Sequence, residues 1–232
     1  MKAMLCGEGA HEIGQNHWSK RHQRWETSRG WMQEIVDSAV GVQVEYDLRL
    51  RKDLMILPRD GSRFRPLPPG HGAKALASAL LAQSVGASVS IFMADADSNS
   101  PEDMNVIQEQ ILAGFAAAKD AGIAVEGIAC VPMASSESWL LADEASWLEV
   151  AGTQPSLPDR PEEIWGARND PDGDHPKHVF RRATSSARLD DSAATRNRLA
   201  AAANVNTIAR KCPASFATFC TELRKTTEQG IV

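Results

Sequence analysis

Two strongly apolar runs, Ser88–Ala94 (SVSIFMA) and Ile123–Val131 (IAVEGIACV), constrain the fold of this chain more than any other feature. Each is too short for a core helix and too apolar for a strand with one face in water. Both suit strands buried on two faces, as in the interior of a parallel sheet. Between them, Pro101-Glu102-Asp103 opens a helix, with proline and acids in the first turn. That helix is predicted to run to Ala121 and to be closed by Gly122. Strand, helix and strand at this spacing make a βαβ unit, and with it an α/β fold built on a mostly parallel sheet flanked by helices.

The rest of the chain fits around that unit. Met1–Cys6 is a first strand that stops at Gly7-Glu8-Gly9, and Val40–Leu50 alternates like a half-buried strand. His71–Val85 is an Ala/Leu-rich helix, and Ser135 or Ser136 caps a further helix carrying Glu137, Trp139, Leu140 and Leu141. Trp139 and Leu140 read as core. Pro58–Gly70 and residues 152–176 are loop-like, and residues 177–223 read as short helices. His11–Met32 is polar, with Trp18, Trp25 and Trp31 at roughly helical spacing, and reads equally as a helix or an irregular insertion. The expected organisation is an α/β domain over residues 1–150, with a loop and helical extension over 151–232 packed on it.

At 232 residues, 43% of them hydrophobic and 24% charged, the chain can bury a core without metal or disulfide staples. No apolar run reaches the roughly 20 residues of a membrane span, and MKAMLCGEGAHE does not read as a secretory signal. A soluble, cytoplasmic protein with no membrane partner is expected, and Cys6, Cys130, Cys212 and Cys220 are expected to be reduced. Charge is uneven. Residues 58–174 carry a net −11 and residues 175–232 a net +6. This suits either a carboxylate-rich site beside an anion-receiving surface or two solvated faces of opposite sign.

Three acidic clusters fall at or just past strand ends, the rim where open α/β sheets build their sites. They are Glu8-Gly-Ala-His-Glu12, Asp95-Ala-Asp97 and Glu137. Each alone reads as a cap or turn former. Together they could supply the oxygen-rich shell that Mg²⁺ prefers, and ions held there could activate water at a phosphodiester. Lys177, with Arg181 and Arg182 one turn on, is the basic group placed to touch phosphate, or else a solvated helix face. Lys74, opening the helix after His71, is a further candidate for an anion. His11, His17 and His22 do not share one helical face, which argues against zinc.

LCGEGAHE, then SIFMADADS, then VPMASSESWLLAD resembles a Toprim domain, the fold shared by topoisomerases, bacterial primases and the overcoming-lysogenisation-defect nucleases. With the later PEEIWG, DHPKHVF and CPASFATFC, most of the chain is similar to a Toprim-like family of uncharacterised bacterial proteins. Members of that family are often encoded beside an ATPase, and related families occur in anti-phage systems. The resemblance implies a Toprim-like (Rossmann-like) fold, with Glu8 as general base or metal ligand and Asp95 and Asp97 as the metal-binding pair. Glu12 matches the secondary acidic position, and Glu137 is a third carboxylate. Ser98-Asn99 stands where a further acid follows the pair in the family, and the start of the Glu137 helix is richer in Trp than the topoisomerase pattern.

The resemblance can be pruned by chemistry. Tyr46, the only tyrosine, lies mid-strand and suits no topoisomerase nucleophile, and no zinc ribbon of a primase is visible. What remains is a nuclease of DNA or RNA dependent on Mg²⁺ or Mn²⁺. Its catalytic residues would be Glu8, Glu12 and Lys177, and its metal ligands Glu8, Asp95, Asp97 and Glu137. It would serve as the effector of an anti-phage system with an ATPase partner, and an oligomer is possible. The alternative is a non-catalytic Toprim-like subunit that docks on or senses an ATPase, its tryptophans forming the interface. A phosphatase of the haloacid dehalogenase type fits less well, because its DxD follows the first strand.

Overall fold

In the computed structural model, which describes residues 2–19, 21–54 and 68–228, the run Ser88–Ala94 supplies an inner strand of a sheet, whereas Ile123–Val131, expected to be interior as well, supplies an edge strand whose first residue, Glu126, is exposed. The chain begins with β1 (Lys2–Gly7), α1 (Ala10–Ile13), β2 (Gly14–Ser19), β3 (Arg24–Arg29), α2 (Trp31–Val40) and β4 (Glu45–Leu50). After a 3₁₀ turn at Arg51–Asp53 come α3 (Gly72–Ser84), β5 (Val89–Met93), α4 (Pro101–Asp120) and β6 (Glu126–Cys130). Six helices follow: α5 (Glu137–Leu140), α6 (Glu144–Ala151), α7 (Pro176–Ser186), α8 (Ala193–Ala202), α9 (Val205–Lys211) and α10 (Phe216–Glu228). Most of the loop expected over Pro58–Gly70 lies outside the described residues, as do the side chains of His17, Trp18 and Trp25.

Four strands form one parallel sheet in the order β4-β1-β5-β6, with Leu5 opposite Leu48 on one side and Ile91 on the other. β5 is buried at every position, as its unbroken apolar run requires, whereas the edge strands β4 and β6 are only partly covered. Side chains alternate between two cores. Leu5, Ile91, Met93 and Cys130 face α2 and the helices beyond residue 176, whereas Met4, Cys6, Phe92 and Ala129 face α3 and α4. All four cysteines are free and buried. Among the described residues no helix is long and apolar enough to cross a membrane.

The polar stretch from His11 to Met32 is not a helix over most of its length. After α1 it folds into an antiparallel hairpin, β2 on β3, with Trp18 opposite Trp25 and a turn in which Gln23 takes φ +49°. Residues seven apart can share a helix face or pair across a hairpin, so the tryptophan spacing did not separate the two. Glycines set the boundaries. Gly14 (φ +83°) ends α1, and a Cβ on Gly30 would lie 2.2 Å from the Glu12 carbonyl oxygen, so the hairpin closes tightly on α1. The strand expected over Val40–Leu50 begins only at Glu45, because α2 continues to Val40 and stops at the left-handed Gly41.

Candidate active site

Parallel strands put all their carboxyl ends on one rim, so the turns after β1, β4, β5 and β6 meet there. After β1, Gly9 opens α1 and its N–H donates to Glu12 Oε2 at 3.1 Å, which bends the Glu12 side chain back over the rim. Beyond β5 the ladder continues: Ala94 N–H donates to the Cys130 carbonyl at 3.0 Å and Ala96 N–H to that of Pro132 at 2.8 Å. Asp95 is thereby held facing the turn after β6. The Ser136 N–H donates to Asp95 Oδ1 at 3.1 Å, and the Ser136 hydroxyl to Glu12 Oε1 at 2.9 Å. Glu137 accepts from the Ser135 hydroxyl at 2.9 Å. Three carboxylates from three separate strand ends therefore converge, each nearly withdrawn from solvent.

Two cations from the C-terminal helices answer them. Lys177 Nζ, in the first turn of α7, is 3.7 Å from Asp95 Oδ2. Arg196, on α8, is 3.7 Å from Glu137 and 2.5 Å from Asp191, and its guanidinium lies 4.6 Å over the Phe180 ring. Burial, followed by the charges of Glu12 and Glu137, holds the Asp95 carboxyl well above the usual range, with Lys177 opposing them. Burial and then Glu137 raise Glu12 in the same way. His175 caps α7 by accepting from the Lys177 N–H at 3.2 Å. Its Nε2 is buried without a partner. Burial, then Lys177 and His178, lower the His175 pKa, so its imidazole is neutral near pH 7.

The structure does not gather every residue the sequence nominated. Glu8 is 47% exposed and pairs with Arg51, the first residue of the 3₁₀ turn after β4. Asp97 is 52% exposed and faces Arg168 at 3.9 Å, while Asp95 is only 10% exposed. Two residues apart on an extended strand they would share one side, but Asp97 adopts φ +48° and turns away. Lys74 donates to the Leu54 carbonyl, and Arg182 to the carbonyls of Pro171 and Gly173. Ser136 makes no side-chain cap on α5, since its hydroxyl is committed to Glu12. Ser135, Ser136, Arg196 and His175 escaped the sequence reading. The serines stood beside Glu137 in plain view but read as caps, and Arg196 carries no local signal at all.

Among the described residues no group of three or more His, Cys, Asp or Glu side chains stands at ligating distances for a metal ion. The donor set nonetheless matches a hard divalent cation in kind. Glu12, Asp95 and Glu137 offer only carboxylate oxygens, buried together against their mutual repulsion, and the Lys177 ammonium stands in for a cation beside Asp95. Comparisons of the chain with protein families, curated proteins and solved structures find no match.

Proposed function

We propose that this chain is a Toprim-like phosphodiesterase that hydrolyses DNA or RNA with Mg²⁺ or Mn²⁺. The observation that carries the reading is the convergence of Glu12, Asp95 and Glu137, three nearly buried carboxylates that, among the described residues, pair with Lys177 and with an Arg196 shared by Asp191. Structural carboxylates have no reason to be buried together, because each raises the cost of ionising the others. Asp95, Glu12 and Glu137 would hold the ion, which when bound lowers the pKa of water and draws charge from the phosphate oxygens. Ser136 orients Glu12 and Asp95 at once, and Arg196 holds Glu137 in place. Lys177 meets the phosphate. Glu8 serves as proton acceptor once it parts from Arg51, and Asp97 stays at the mouth of the site.

The place as effector of an anti-phage system beside an ATPase follows from the sequence resemblance, and this reading retains it. The docking-subunit alternative drew on tryptophan as interface material. Trp31, Trp139 and Trp147 are core residues and offer a partner no surface, whereas Trp165 is 40% exposed.

Calorimetric titration with Mn²⁺ tests the proposal on the wild type, Asp95→Ala and Glu12→Ala, with plasmid, single-stranded DNA and tRNA as substrates. Binding and cleavage are expected in the wild type and in neither variant, with unchanged circular dichroism. A wild type that binds no divalent ion refutes the enzyme reading and leaves the docking subunit.

A further inference from the structure

We propose that Lys177 and a divalent cation compete for Asp95, so that metal loading releases the lysine to receive a phosphate group. The inference rests on the metal-dependent reading above and adds an order of events to it. Asp95 Oδ1 is committed to the Ser136 N–H, which leaves Oδ2 as the oxygen open to a cation, and Lys177 Nζ lies 3.7 Å from it. A magnesium-sized ion needs that oxygen at about 2.1 Å, within a few ångströms of the ammonium, so the two positive charges repel.

Of the two cations in the site, only Lys177 can leave. Arg196 is 8% exposed and pinned by Phe180, Asp191 and Glu137, with its Nε buried and unpartnered. Lys177 is 28% exposed at the end of a flexible four-carbon stem. Its position is also unfavourable for the helix that carries it. It occupies the first turn of α7, which contains no acidic residue, so a cation sits at the positive end of the helix dipole. Helix stability therefore does not explain a lysine there, whereas Asp95 does. Glu12, Asp95, Glu137 and Asp191 outnumber Lys177 and Arg196, and exchanging the ammonium for a divalent ion reduces that negative excess by one charge. The freed ammonium, still next to the N-terminus of α7, is then available to an anion. By linkage, phosphate and metal must strengthen each other's binding by the same factor.

Mn²⁺ affinity of the metal-free full chain is the test, by calorimetry on the wild type, Lys177→Met and Lys177→Arg. Lys177→Met is expected to bind Mn²⁺ roughly five- to tenfold more tightly, and Lys177→Arg to stay near wild type. Inorganic phosphate is expected to tighten Mn²⁺ binding in the wild type and not in Lys177→Met. Lys177→Gln replaces Lys177→Met if the latter does not fold. A neutral variant that binds Mn²⁺ no more tightly than a binding-competent wild type overturns the exchange and leaves the metal reading standing. If the wild type binds no Mn²⁺, the metal reading falls and takes the exchange with it.

Discussion

Glu12 does two jobs with its two oxygens: one accepts from Gly9 and closes α1, the other accepts from Ser136 across the rim. Its burial beside Asp95 and Glu137 has a consequence that pH can expose. Glu12 and Asp95 both hold a proton more tightly in the folded chain than in the unfolded one. Their contribution to stability is full below the ordinary values of 4.5 and 3.8 and is lost as pH rises through the raised ones. In thermal melts of the metal-free protein, the stability lost as pH rises above the ordinary carboxylate range should be smaller in Glu12→Gln than in wild type. Arg196 gives a second prediction at this scale. Both partners of its ion pair with Glu137 are buried, so Arg196→Met leaves a buried charge uncompensated and should cost about 3–5 kcal/mol in denaturant unfolding. Adding Glu137→Gln should recover part of that loss, which a double-mutant cycle measures. Glu8, half-exposed on Arg51, is a contrasting case: Glu8→Ala should change stability by less than about 1 kcal/mol.

Among the elements, the pair α3 and α4 shows how closely two helices must approach to cover one face of a sheet. A Cβ on Gly114 of α4 would lie 2.2 Å from the Gly72 carbonyl oxygen of α3, and one on Gly127 of β6 would lie 2.1 Å from the Phe115 ring. Gly114→Val should therefore force the helices apart and lower stability by about 1–3 kcal/mol, read as a shift of the denaturant midpoint with unchanged slope. The boundaries of α4 were legible because their signals are local: Pro101 and two acids begin it, and Gly122 (φ +80°) follows its end. The hairpin was not legible. Its pairing joins residues such as Asn16 and Thr27, whose side chains hydrogen-bond at 2.7 Å, and no spacing within a single strand encodes that partner.

At the scale of the whole molecule, the helices beyond residue 176 share a core with the sheet. Trp139 stacks on Phe219 at 5.8 Å, meets Phe216 edge-on at 4.9 Å, and donates its indole N–H to Ser215 at 2.9 Å. Glu162, from the loop after α6, accepts from the N–H groups of Ala214 and Ser215 just ahead of α10 and ties that loop to the helix. A chain ending at residue 151 would leave Trp139 uncovered, so it should bind the dye ANS and lose a cooperative thermal transition. The opposite charges of the middle and last segments also acquire a meaning here. Lys177, Arg196 and Lys211 turn inward onto Asp95, Glu137 and Glu144, so three of the ten basic side chains of the last segment neutralise acids of the middle one.

From the amino-acid order alone came the parallel sheet, the identity of its central strand, and the expectation that acids would gather at the strand ends. Those features are written in local runs, where burial on two faces demands unbroken apolarity and a strand end demands a turn. Tertiary structure decided which acids meet. A single left-handed residue turned Asp97 outward, Arg51 drew Glu8 aside, and a capping interaction folded Glu12 inward. It also supplied Ser136 and Arg196, from positions 124 and 59 residues along the chain from Glu12 and Glu137. Such contacts depend on where distant backbone segments are brought together, which no local pattern of residues encodes.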